Sequence, residues 1–164
     1  MRKKVEIIAD YEVFLKDKGT IGHAYKITPP NIVHAKETVT SGVGDYEIAI
    51  GQLEKIELSC TMANEDVSYY IESGHINDAE LDLIEVAKDG SNTRGGLFEA
   101  VGTLDIEVGD SERKGKKEVT LKMSCVSIFH SIDGKRAYDI DHRINKCIVG
   151  DTDMNEETNK ILGR

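Results

Sequence analysis

Tryptophan is absent from the 164 residues, and Phe and Tyr together supply only a 5% aromatic share. The interior is therefore mostly aliphatic, and a hollow lined by aromatic groups for a small ligand is disfavoured. Cysteine is limited to Cys60, Cys125 and Cys147, an odd number at spacings of no metal or redox motif. These read as reduced, buried thiols of a chain that assembles inside a cell. Met1-Arg2-Lys3-Lys4 is basic, as a signal peptide's start is. Glu6, Asp10 and Glu12 then interrupt the apolar segment that would have to follow. No run approaches the ~18 apolar residues of a membrane span, so a soluble intracellular protein is expected. Basic charge is also short: 21 Lys and Arg against 30 Asp and Glu leave a net charge of −9. That balance argues against non-specific phosphate binding, and an acidic surface serves solubility. Neither internal repeats nor a linker appears, and the length suits one domain over residues 1–164. A domain of this size buries roughly 68–70% of its unfolded surface, enough for a real core.

What is present is a period of two, the strand signature. Ile56, Leu58, Cys60 and Met62 alternate with Lys55, Glu57, Ser59 and Thr61. Phe98, Ala100, Leu104, Ile106 and Val108 alternate with Glu99, Thr103, Asp105 and Glu107, Val101 being the exception. Val119, Leu121, Met123, Cys125 and Phe129 oppose Glu118, Thr120, Lys122 and Ser124, but Val126 and Ile128 make the end of that strand apolar on both faces. Residues 5–15 alternate more loosely, with Ile8 and Phe14 on the polar side. In 79–87 the apolar side changes near Ile84 and Val86, as a bulge would make it. Strands with one dry and one wet face predict a mainly β fold, an antiparallel sandwich or barrel. Asp17-Lys18-Gly19, Asp89-Gly90, Gly109-Asp110 and Asp133-Gly134 supply the turns, the last a tight hairpin.

One short flanking α-helix is signalled, with Asn64 as N-cap, Glu65 and Asp66 at the positive end, Val67, Tyr70 and Ile71 as the packing stripe, and Gly74 as a left-handed stop. It is too short to stand alone and must pack on a sheet. Residues 36–53 read as a long extended hairpin with a mobile tip, carrying Thr38, Val39, Thr40, Ser41, Gly42, Val43, Gly44, Asp45, Tyr46 and Glu47. Residues 111–117 form a solvated basic loop, and 152–164 a short helix or a C-terminal arm.

Catalytic and ligand-binding patterns are missing. His23, His34, His75, His130 and His142 form no i, i+4 pair and no recognised ligand spacing. Asp139, Asp141 and His142 come closest to a metal set, but Arg136 and Arg143 flank them. Gly42-x-Gly44 lacks the third glycine and the strand–helix context of a phosphate loop. No nucleophile elbow occurs, and the basic loop carries no interleaved aromatics for nucleic acid. No enzyme, cofactor or metal site is expected.

The order of features from residue 5 to 155 resembles the major tail tube protein of contractile-tailed phages and R-type pyocins. The stretches that carry it are Val13-Phe14-Leu15 with Gly22 and Ile27-Thr28-Pro29-Pro30; Glu37-Thr38, Gly42, Glu47-Ile48 and Gly51 to Glu57; and Asp133-Gly134, Asp139-Ile140-Asp141, Asn145-Lys146 and Val149-Gly150-Asp151. The resemblance implies a structural subunit whose homo-hexameric rings stack into a hollow tube, with 36–53 as the stacking hairpin. It also implies sheath, tape measure and baseplate proteins as partners, DNA in transit without specific binding, and a place in the virion tail after assembly in the bacterial host cytoplasm. The candidate lumen face is Lys55, Glu57, Glu99, Asp105 and Glu107, whose acidic lean would repel phosphates. The alternatives are a ring-forming tube protein of a type VI secretion-like system and, in another class, a monomeric small-ligand-binding β-barrel.

Overall fold

The computed structural model describes residues 5–15, 19–22 and 24–163; the basic start, the turn at Asp17-Lys18 and His23 lie outside them. In chain order the strands are β1 (Ile7–Leu15), β2 (Gly19–Gly22), β3 (Ala24–Thr28), β4 (His34–Thr40), β5 (Asp45–Leu53) and β6 (Glu57–Met62). Helix α1 (Val67–Ser73) is followed by β7 (Ala79–Asp89), β8 (Asn92–Val108), β9 (Val119–Ile132) and β10 (Lys135–Asp141). A 3₁₀ turn (His142–Ile144), β11 (Lys146–Val149), β12 (Thr152–Asp153) and helix α2 (Glu156–Ile161) complete it. All pairings are antiparallel. The mainly β, antiparallel fold expected from the alternation is the one observed.

Ten strands form one sheet, ordered β12-β11-β10-β9-β8-β7-β1-β2, with β6 paired to β9 and β3 to β6. The strip β3-β6-β9-β8-β7-β1 curls until β3 lies against β1, which makes a barrel-like wall. Val13, Leu58, Met62, Leu81, Leu83, Leu104, Leu121 and Met123 fill its interior, each with under 2% of its surface exposed. Tyr69 of α1 joins this cluster and is fully buried. Side chains thus occupy the space between the walls, as in small closed barrels.

The long strand β9 serves two neighbours along one edge: β6 pairs with residues 119–124 and β10 with 127–132. The change of partner falls at a bulge, where Val126 is extra between Cys125↔Gly102 and Ser127↔Val101. The bulge reverses the parity of β9, so Ile128 and His130 join the core side while Phe129 turns to the other face, opposite Glu99. This corrects the assignment of Phe129 to the apolar side and accounts for the strand end that reads as apolar on both faces. Gly102 makes the bulge possible, because a Cβ there would sit 1.9 Å from the Ser124 carbonyl oxygen.

In β7 the expected change of side does not occur. Its register with β8 is continuous, and the buried side chains are Ala79, Leu81, Leu83, Glu85 and Ala87. The inward position at 85 is held by a carboxylate, bonded by Arg94 Nη2 at 2.8 Å. The irregularity lies instead in β1, at Ala9 between Ile8↔Ala87 and Asp10↔Val86. That bulge puts Ile8 on the core side, while Phe14, paired with Asp82, stays on the polar face.

Helix α1 differs from expectation at both ends and on its face. Asp66, not Asn64, is the N-cap, accepting from the Ser68 N–H at 2.8 Å; Asn64 instead accepts from Tyr69 Oη. Gly74 ends the helix at φ −67, a right-handed conformation. The buried side chains are Ser68, Tyr69 and Glu72, while Val67, Tyr70 and Ile71 are 70%, 45% and 49% exposed. Glu72 is held inward because its carboxylate accepts from the Glu80 N–H at 2.8 Å, and Ser73 Oγ donates to the Leu104 carbonyl at 2.7 Å. The buried Tyr69 ring and these polar side chains thus dock the helix on the sheet, and Val67, Tyr70 and Ile71 are left largely outside.

Candidate functional site

Residues 34–53 form a two-stranded sheet of their own, apart from the barrel. The base is tied by the Glu54 N–H to the Val33 carbonyl at 2.8 Å, with Leu53 and Ile32 packed against the core. Beyond the base the strands are nearly bare. Val43 at the tip is fully exposed, and Tyr46, Ile48 and Ile50 are 51%, 50% and 44% exposed. The register pairs Val39 with Tyr46 and Glu37 with Ile48 on one face, and Thr38 with Glu47 and Thr40 with Asp45 on the other. The hairpin is therefore amphipathic, with an apolar face that the described residues leave about half exposed.

The tip is ordered by its own polar groups. Ser41 and Gly44 exchange backbone hydrogen bonds of 3.0 and 3.2 Å, and Ser41 Oγ donates to the Gly44 carbonyl. Thr40 Oγ1 donates to Asp45 Oδ1 at 2.9 Å. Of the two glycines singled out from the sequence, Gly44 at φ 145 needs the missing Cβ and Gly42 does not. Further down, Gly51 at φ 80 accommodates extra residues of β5 opposite Ala35, so the hairpin bends above its base.

The proposed lumen residues divide. Lys55, Glu57 and Asp105 border one surface cleft of about 410 Å³, together with Lys122. Lys122 bonds Glu107 at 2.9 Å, and Lys55 pairs with Glu57 at 3.4 Å. Two lysines thus offset much of the acid that the sequence pattern places on this face. Lys122 is held more firmly protonated, chiefly by its hydrogen bond to Glu107. Glu99 lies farther along the same face of β8, beyond the bulge, where its neighbours are Asp82 and Phe129. Asp82 is half-buried there, and desolvation, with Glu99 and Glu80 nearby, raises its carboxyl to about 6.

The other candidates are occupied structurally. Asp141 accepts a two-point bond from Arg143 and caps the 3₁₀ turn, and Asp139 pairs with Lys146 at 2.6 Å. Among the described residues no three His, Cys, Asp or Glu side chains converge on one point. Burial pushes the Cys60 and Cys125 thiols up to about 12, which keeps them protonated. The segment 152–164 carries β12 and α2; Asn155 and Asn159 bond Asn145, whose backbone is left-handed at φ 54. Sequence reasoning missed the Glu85–Arg94–Glu6 ion group, in which Arg94 Nε reaches Glu6 at 3.0 Å. Its signal was a carboxylate at a core-parity position of β7.

Comparison with known proteins agrees with this architecture. The chain superimposes on the "PVC sheath/tube terminator in extended state" of an extracellular contractile injection system. The TM-score is 0.53 and the identity 10%, over 74% of this chain and 93% of the other. A chain of the "PVC sheath-tube complex in extended state" gives 0.51 at 10% identity, over 74% and 88%. No curated protein sequence matches the chain. The model of one family, described as phage tail tube protein FII, matches residues 5–163. With the family match running through nearly the whole length, the chain belongs to the phage tail tube protein FII family.

Proposed function

We propose that the protein is the repeating subunit of the inner tube of a contractile tail or a related injection particle, building hexameric rings that stack through the hairpin of residues 34–53. The observation that carries this reading is the hairpin itself. A two-stranded hairpin alone is marginal in water, and this one leaves Val43 bare and Tyr46, Ile48 and Ile50 about half exposed among the described residues. Such an element is stable when another copy covers it, and the family supplies that setting.

The reading extends to a channel. Glu57, Asp105, Glu107, Lys55 and Lys122 make a polar face suited to a wet wall, with Glu99 further along it. DNA would pass such a wall without specific binding. The sheath protein covers the outside, as the sheath–tube naming of a fold neighbour suggests, and tape measure and baseplate proteins complete the set. The subunit is structural, without catalysis, and ends in the virion tail after assembly in the bacterial host cytoplasm.

Negative-stain imaging of the purified protein at rising concentration tests the assembly, with rings and then tubes expected. Replacing residues 38–47 by a short Gly-Ser turn should leave a folded subunit, with native circular dichroism, that no longer forms tubes. Normal tubes from this variant would sink the stacking role.

A further inference from the structure

We propose that the outward face of α1, together with the basic loop 111–117, is the receptor on one copy for the β4–β5 hairpin of another. This rests on the stacking role of the hairpin and says where it lands. Val67, Tyr70 and Ile71 sit at i, i+3 and i+4, so they form one stripe, and all three are substantially exposed. The helix has seven residues and is anchored from its other side, by the buried Tyr69 ring and by the polar bonds of Glu72 and Ser73, so this stripe is not what holds it to the sheet. A short helix that keeps its apolar residues outside has them free for a partner.

The loop stands next to this stripe. Glu65, just before the helix, accepts from Tyr70 Oη at 3.2 Å and pairs with Lys117 Nζ at 3.7 Å, joining helix face and loop in one patch. Arg113, Lys114, Lys116 and Lys117 against Glu112 make the loop net positive on a chain of net charge −9. The hairpin has the opposite balance, with Glu37, Asp45 and Glu47 against Lys36. The receptor patch is apolar with a basic border, while the hairpin carries Glu37 on its apolar face and Asp45 and Glu47 on its back, so the two surfaces are of opposite net charge.

The same balance excludes like-with-like docking. Hairpin against hairpin would bring carboxylates together, and α1 against α1 would bring the basic loops together. A contact between two different patches of one chain is head-to-tail, and it propagates instead of stopping at a pair. That is the geometry a tube requires.

The test uses two exposed positions and a short thiol cross-linker on the full chain. Copies carrying Ile48→Cys are mixed with copies carrying Ile71→Cys under assembly conditions. A covalent dimer of twice the chain mass is expected in the mixture and not in either variant alone. Tubes that form without this product, or cross-linking of Ile48→Cys copies to each other, would overturn the inference. A second arm reverses the loop with Arg113→Glu, Lys114→Glu and Lys116→Glu, which should raise the concentration needed for assembly by at least about tenfold. Adding Glu37→Lys, Asp45→Lys and Glu47→Lys to the same chain should restore it; unchanged assembly, or loss without restoration, counts against the docking. If the hairpin replacement blocks tubes while the cross-link is missing, stacking stands and this receptor falls. Tubes that survive the hairpin replacement remove both.

Discussion

Two carboxylates of β7, one facing the core and one half-buried on the polar face, each have a measurable consequence. Glu85 occupies a core-side position with its side chain 11% exposed, and Arg94 holds it at 2.8 Å. Removing one partner of a buried pair costs more than replacing both, because the remaining charge loses its counter-ion. Arg94→Met should therefore lower stability by about 2 kcal/mol, less than for a fully buried pair. Adding Glu85→Gln should recover most of the loss in a urea melt; an equal loss in the double variant would show that the pair is not the cause. Asp82 works in the opposite sense. Its carboxyl is raised from 3.8 to about 6, first by burial and then by Glu99 and Glu80. The folded state therefore binds the proton more tightly than the unfolded state, and stability falls as pH rises from about 4 to about 6. Asp82→Asn should match the parent near pH 3.5 and exceed it at pH 7 by about 1 kcal/mol, discounted for solvent screening. A stability difference that does not vary with pH would exclude this titration.

At the level of elements, the Val126 bulge organises the sheet. It lets β9 hand its edge from β6 to β10 and sets which side chains enter the core on either side of the change. Gly102 opposite is the condition for it, so Gly102→Ala must move backbone and not a flexible side chain. The expected cost is about 2 kcal/mol, or roughly 4–8 °C in Tm for a chain of this size. An unchanged melting temperature would mean that the bulge relaxes freely. The tight turns were easier to anticipate. Asp133-Gly134 adopts positive φ at both residues, 50 and 77, as a two-residue hairpin needs, and the dipeptide alone signals it.

For the whole molecule, the proposed channel predicts a measurable role for one sheet face. In the proposed assembly, reversing Glu57 and Asp105 to Lys in every copy would repeat the change around each ring and along the tube. If this face lines the lumen, assembly should persist, since exposed charge changes usually alter stability by within ~0.5 kcal/mol. DNA ejection should then be slow at low salt and recover at high salt, because binding follows the number of phosphates neutralised. Ejection at the parental rate in low salt would assign the channel to another face.

Alternation in the sequence by itself determined the antiparallel β class, most inward positions of β6, β7 and β8, and the tight hairpins. These depend on neighbours one or two residues apart, and a period of two or a residue such as Gly in a turn records them directly. The extended hairpin was legible too, since β-branched residues and glycines without a deep apolar pattern mark a strand pair that leaves the core. Only the tertiary structure decided the parity reversal at Val126, because a bulge is defined by its partner strand and Gly102 is distant in sequence. The same holds for α1, where Val67, Tyr70 and Ile71 look like a packing stripe. Glu72 turned inward instead to accept from the Glu80 N–H of β7, and Ser73 to donate to the Leu104 carbonyl of β8, backbone groups that come near only in the fold. Hydrophobic pattern records which residues favour leaving water, but not which surface is left when the chain has closed.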